Sequence, residues 1–125
     1  MTSCGSWRAG TSYLGNGDGT FRLAARHLSG IDVRSIRLAD VNRDGQLDIV
    51  TADYGRMDPV TGKYVDTAVR VLLGNGDSTF QTFRTFASDS GTSSLVCGDF
   101  DQDGWIDLVV QSSSGVKLWA NDRIW

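Results

Sequence analysis

Two short windows of this chain concentrate oxygen ligands. The first reads Asp40-Val41-Asn42-Arg43-Asp44-Gly45-Gln46-Leu47-Asp48, and the second Asp99-Phe100-Asp101-Gln102-Asp103-Gly104-Trp105-Ile106-Asp107. Together they hold seven of the fifteen acidic residues. Both fit D-x-[DN]-x-D-G-x-x-D. Side-chain oxygens at positions 1, 3 and 5 of such a segment converge on one point when the backbone curls around it. Glycine at position 6 permits the sharp turn, position 7 offers a backbone carbonyl, and the carboxylate at position 9 closes the shell. An all-oxygen shell without His or Cys selects a hard cation, and flexible sixfold to eightfold coordination favours Ca²⁺ over Mg²⁺.

Asp and Gly are also ordinary turn residues, so one such window alone would read equally well as a solvated turn. Here the windows belong to a repeat. Leu14-Gly15-Asn16-Gly17-Asp18-Gly19-Thr20-Phe21 recurs as Leu73-Gly74-Asn75-Gly76-Asp77-Ser78-Thr79-Phe80. Residues 14–51 align with 73–110 without a gap, at an offset of 59, and 14 of the 38 positions are identical. The two windows share that offset. A period near sixty exceeds those of helical solenoids and suits a propeller blade of several strands. An EF-hand would need a bidentate Glu at position 12, where this chain has Thr51 and Val110, and amphipathic helices on either side, which the pattern lacks.

The elements that must position the windows are β-strands. Fifteen glycines against a single proline point to many tight turns between short strands. Residues 35–39 and 94–98 alternate ahead of the windows, and 47–52 and 106–111 follow them as rich β-formers. Asn-Gly between two β-like runs reads as a type I′ hairpin turn. The expected architecture is all-β: propeller blades of four-stranded antiparallel sheets, about two in a single repeat domain over 1–125. Residues 12–34 end a preceding blade, with a strand at 21–27. Residues 35–86 form a complete blade with strands at 35–39, 47–53, 68–73 and 79–86, and 94–120 supply three strands of the next. From Asp48 to Leu72 is 24 residues, but from Asp107 to Leu118 is 11, which places a 13-residue insertion around 54–66. It reads as a longer hairpin with Pro59 and Gly62 near its tip. Two blades cannot close a ring. A lone monomer would turn apolar faces bearing Ile49, Leu108 and Val110 to water. The chain is therefore expected to be part of a longer propeller or to self-associate, the strand at 21–27 of one copy completing the three-stranded blade of another.

The order of LGNGD(G/S)TF turn, strand, acidic loop and LDIV- or IDLVV-type strand resembles the FG-GAP/VCBS repeats, the blades of integrin-α-like calcium-binding β-propellers. The resemblance covers roughly residues 12–122, and both motifs occur twice. It implies one calcium bound by Asp40, Asn42, Asp44, Asp48 and the Gln46 carbonyl. A second would be bound by Asp99, Asp101, Asp103, Asp107 and the Trp105 carbonyl, giving about two Ca²⁺ per chain. It also implies a non-enzymatic scaffold for adhesion or ligand binding, with a glycan or protein as the ligand and an extracellular or cell-surface location. The alternative is an accessory propeller domain of a larger secreted enzyme. The family's propellers are often seven-bladed, whereas this chain holds about two blades.

Composition narrows the remaining classes. The net charge is −3 and the 12 Lys and Arg residues are scattered, so there is no basic track for nucleic acid. The longest apolar runs, such as Val71-Leu72-Leu73, are three residues, which excludes a helical membrane span and leaves no signal peptide in the chain. Any targeting signal would lie outside it. Two cysteines make no disulfide framework. Cys97, in an apolar run, reads as a small buried hydrophobe, with a Cys4–Cys97 bond as the alternative. Gly15-x-Gly17-x-Gly19 precedes no helix and is a hairpin turn, not a phosphate loop. His27 is the only histidine and has no nucleophile motif near it. Trp105 either covers a neighbouring blade or stacks on a sugar, and Trp7, Trp119 and Trp125 read as packing or terminal residues.

Overall fold

The computed structural model describes residues 10–27, 33–77, 79–87 and 91–123. Cys4, Trp7 and Trp125 lie outside them. Among the described residues the fold is all-β, with antiparallel ladders throughout and no helix. Strands β1 (Gly10–Gly15) and β2 (Phe21–His27) pair as a hairpin. A four-stranded sheet follows, in the order β3 (Val33–Ala39), β4 (Asp48–Asp53), β7 (Ala68–Leu72), β8 (Arg84–Ala87). Between β4 and β7 a separate hairpin pairs β5 (Arg56–Met57) with β6 (Tyr64–Val65). The last sheet has three strands, β9 (Ser94–Gly98), β10 (Asp107–Ser112) and β11 (Gly115–Trp119), with β10 in the middle. The two large sheets are successive blades of an open propeller-type stack that does not close on itself.

The sheets are held together face to face. Side chains two apart on a strand share a face. Val50 and Ala52 of β4 accordingly join Val69 and Val71 of β7 on one side of the first sheet. They form a single buried cluster with Leu95 of β9 and Val110 of β10, against which Cys97, Leu108 and Trp119 also pack. The opposite face of the first sheet carries a smaller cluster of Ile49 and Leu72 with Val33 and Phe80. Every residue of β4 is buried, as a central strand covered on both faces requires.

Several expectations change in detail. The fourth strand of the first blade starts at Arg84, not at 79. Ahead of it there is only an isolated bridge between Gly74 and Phe80. The LGNGD turns are not two-residue type I′ turns, because Gly17 and Gly76 have positive φ but Asn16 and Asn75 do not. Each is a five-residue loop instead. Asn16 N–H donates to the Thr20 carbonyl at 2.9 Å and Thr20 N–H to the Asp18 carboxylate at 2.9 Å. Asn75, Thr79 and Asp77 repeat both bonds at 3.0 Å. Ladder register pairs Ile49 with Leu72 and Leu108 with Trp119, so Trp119 and not Leu118 is the counterpart of Leu72. The intervals from Asp48 and Asp107 are then 24 and 12 residues, and the insertion is twelve residues long. Its hairpin is internally braced: the Tyr54 and Tyr64 rings meet edge to face at 4.7 Å, and Arg56 pairs with Asp66 at 2.9 Å.

Ile49 and Val110 are buried within this chain and Leu108 is half-buried, contrary to the expectation that they would meet water. Ile36, Leu38, Val96, Val116 and Leu118 are the exposed apolar residues of the outward faces. Cys97 carries a free thiol, half-buried against the core, and burial pushes its pKa up.

Leu95 is the deepest side chain that the second sheet gives to the shared cluster. Leu95→Ala is expected to cost about 2–5 kcal/mol, because a cavity is left between two sheets that cannot collapse independently. Urea unfolding should show it as a lower midpoint at unchanged slope. A loss near zero would show that the sheets do not depend on each other.

Candidate metal centre

Each acidic loop joins the first two strands of a large sheet, and the two loops share one hydrogen-bonding scheme. The position-1 carboxylate accepts two backbone N–H groups: Asp40 from Asp44 (3.1 Å) and Gly45 (2.9 Å), Asp99 from Asp103 (3.0 Å) and Gly104 (2.8 Å). The position-3 oxygen of Asn42 or Asp101 accepts from the N–H of Asp44 or Asp103, at 3.3 and 3.2 Å. The position-5 carboxylate accepts the N–H of Gln46 or Trp105, both at 2.9 Å. Curling the chain this way requires left-handed backbone at two places. Position 4 has φ of 58° at Arg43 and 61° at Gln102, and position 6 has 84° at Gly45 and 87° at Gly104. An L-residue in that conformation costs about 1–2 kcal/mol, which glycine at position 6 avoids.

The position-9 carboxylates anchor the loops to the sheets. Asp48 and Asp107 are almost wholly buried. Asp48 accepts from Val41 N–H (2.9 Å) and Gly74 N–H (2.8 Å), and Asp107 from Phe100 N–H (3.2 Å) and Asn121 N–H (2.8 Å). Burial raises the pKa of Asp48 above its ordinary value despite these donors, with Asp44 and Asp40 nearby adding to the rise.

In the second loop Asp99, Asp101, Asp103 and Asp107 each place a carboxylate oxygen within 4.8 Å of the others. Calcium–oxygen distances of about 2.3–2.6 Å put ligands on opposite sides of one ion at up to about 5 Å, so four carboxylates this close can share one such ion. The all-oxygen donor set and its compactness are compatible with a hard cation such as Ca²⁺. The first loop has the same backbone scheme, with an amide oxygen at position 3 in place of the second loop's carboxylate.

Three residues near the second loop carry no sequence signal for the site. Arg123 donates to the Asp103 carboxylate at 2.9 Å, and its guanidinium lies 5.9 Å from the centre of the Trp105 ring. Arg43 belongs to the first loop by sequence, yet its guanidinium sits 5.5 Å from that same ring. Trp105 is thus engaged by cations from within the chain, one of them from the neighbouring blade. A bare count of carboxylates overstates the negative charge of the second loop, because both guanidiniums lie against it. Asn121, the third residue, donates through its side-chain amide to the carbonyls of Ile106 and Val41. By ladder register Asn121 and Arg123 are the counterparts of Gly74 and Gly76, a correspondence that sequence identity does not reveal. The positive φ of 68° at Arg123 matches the 87° at Gly76.

The profile of the FG-GAP-like repeat family matches residues 3–51 and 55–110, and the chain belongs to that family. Both matches end on the strand that follows an acidic loop, so the recurring unit is the one bearing these sites. It defines a β-propeller-type repeat module that works alongside other blades. No curated protein and no solved structure matches the chain.

The hydrogen bond from Arg123 holds Asp103 down at about 2, while desolvation and its bond to Asp103 raise Asp101. A depressed carboxylate contributes stability that is present above its ordinary pKa, here 3.8, and is lost as pH falls from there through about 2. The pair is solvent-exposed, so that contribution is small. In metal-free protein, Arg123→Ala should raise the apparent pKa of Asp103 toward 3.8 in a carboxyl-resolved NMR titration. An unchanged value would mean that the ion pair does not form in solution.

Proposed function

We propose that this chain is a calcium-stabilised β-propeller repeat module of the extracellular or cell-surface kind, serving as a non-enzymatic scaffold for adhesion or ligand binding. The observation that carries the reading is the duplicated loop. The same backbone scheme occurs twice, 59 residues apart, and four carboxylates of one copy converge on a volume that fits one calcium ion. Asp40, Asn42, Asp44, Asp48 and the Gln46 carbonyl hold one Ca²⁺; Asp99, Asp101, Asp103, Asp107 and the Trp105 carbonyl hold the other. Without the ion these carboxylates repel one another, so calcium supports the connection between the first two strands of each blade. No helix among the described residues is long and apolar enough to cross a membrane. The ligand is a glycan or a protein, recognised by surfaces other than the Trp105 ring, which Arg43 and Arg123 engage.

The partners of the module are further blades, either in a longer chain or in a second copy. The face of the first sheet that receives the second is built on Val50, Val69 and Val71. Ladder register makes Val109, Val116 and Leu118 their counterparts on the second sheet, and there Val116 and Leu118 are 68% and 55% exposed. The face that the second sheet inserts is built on Leu95, Cys97 and Val110. Its counterparts on the first sheet are Ile36 and Leu38, 47% and 60% exposed, and Thr51, which is already buried. Along β3 of the first sheet and β11 of the second, the exposed residues of these faces are thus apolar like those that already pack together, so a head-to-tail contact between copies would join Ile36 and Leu38 to Val116 and Leu118. Such heterologous contacts close into rings or extend as filaments.

Calorimetry with calcium chloride should give two equivalents per chain, and Asp99→Ala with Asp103→Ala should remove one of them. Calcium at about a hundredfold over Kd should add roughly 2.7 kcal/mol per site, so EDTA should lower the melting temperature clearly. A melt indifferent to chelator would reduce the loops to turns. Light scattering in calcium should show self-association that Leu118→Lys weakens. A stable monomer at high concentration would sink the head-to-tail contact.

A further inference from the structure

The side chain of Asn121 joins the two acidic loops, which lie in different blades. Its two amide hydrogens go to the carbonyls of Val41 in the first loop (2.8 Å) and Ile106 in the second (3.0 Å). Its side-chain oxygen accepts the N–H of Arg123 at 2.9 Å. With both donors and the acceptor engaged, the amide has one orientation consistent with its partners. The backbone N–H of the same residue donates to Asp107, the position-9 carboxylate of the second loop, at 2.8 Å. Val41 in turn donates its own N–H to Asp48, the position-9 carboxylate of the first, at 2.9 Å. A continuous path therefore runs from Asp48 through the backbone of Val41 and the amide of Asn121 to Asp107. The Arg43 guanidinium over Trp105 is a second link between the same loops.

The link is peculiar to this position and not a property of the repeat. The counterpart of Asn121 in the first sheet is Gly74, which makes the same backbone bond to Asp48 at 2.8 Å. Gly74 has no room for a side chain, since an added Cβ would lie 2.1 Å from the Leu47 carbonyl oxygen.

We infer that Asn121 couples the two loops, so that calcium binds them with positive cooperativity. The inference rests on the calcium reading above. A cation that draws the second loop together fixes Asp107, and through it Asn121. Asn121 holds the Val41 carbonyl, and with it the peptide that leads into Asn42. The first loop is then partly ordered before its own ion arrives, so the second binding event loses less conformational freedom.

The test is calorimetry of the whole chain with calcium chloride as the probe. The native chain should bind two equivalents, with filling of one loop raising the affinity of the other about fivefold or more. Asn121→Ala should keep both equivalents and lose the coupling. Asp101→Ala disables the second loop at an exposed position and leaves Asn121 in place, so it tests the coupling even if the Asn121 variant does not fold. With Asp101→Ala the first loop should bind about fivefold more weakly than in the native chain filled at both loops, and unchanged affinity overturns the coupling. Two independent or anticooperative equivalents in the native chain likewise overturn it while leaving the calcium reading intact. No calcium bound at all overturns both.

Discussion

A carboxylate leaves water only where other groups replace its hydration, and this chain does that twice in the same way. Asp48 and Asp107 are almost wholly buried at the base of their loops, each accepting two backbone N–H groups from separate segments. One donor belongs to the loop itself and the other to the chain leaving the third strand of that blade. A single side chain thus ties the acidic loop to the segment that leaves the third strand, which places both at the same end of each blade. Had the position-9 residue been apolar, those N–H groups would be left without acceptors in a buried place, at about 1–3 kcal/mol each. The loops above these anchors can be exposed and highly charged because their bases are not free to move.

The second constraint is the contact between the sheets. It is built from unlike faces: branched aliphatics of β4 and β7 on one side, and Leu95, Val110 and Trp119 on the other. An interface of unlike faces leaves one unused face of each kind on the outside, and for that reason propeller-type modules are completed by further blades. The outward face of the first sheet is not purely apolar. Asp53 is fully buried there and pairs with Arg70, whose guanidinium lies 5.4 Å from the Phe83 ring. A buried pair is costly to break by removing one partner, and this one is already covered within the chain, while Ile36 and Leu38 on the same face stay exposed.

The site and the framework differed in how much of them could be read beforehand. The acidic loops were legible because their chemistry is local. Ligand spacing, the glycine at position 6 and the carboxylate at position 9 all sit within nine residues, and the hydrogen bonds that shape the loop span two to seven positions. The repeat made the strand order legible too, since an offset of 59 aligns strands as well as ligands. The turn type was misjudged for a physical reason. Asn-Gly favours a two-residue turn in isolation, but Asp18 and Asp77 capture the N–H groups of Thr20 and Thr79 and widen the loop to five residues. The Leu118 correspondence failed because alternating apolar residues leave register undetermined until β11 is paired with β10.

The sequence alone therefore determined the β class, the repeat and the nine-residue acidic loops, because each depends on residues close together in the chain. Only the tertiary structure decided which apolar faces are covered, and that Arg43 leans on the other loop's Trp105. It alone placed Asn121, 80 residues from Val41, between the two loops. Contacts of that kind are set by how one sheet lies on the next, and no spacing within the chain encodes them.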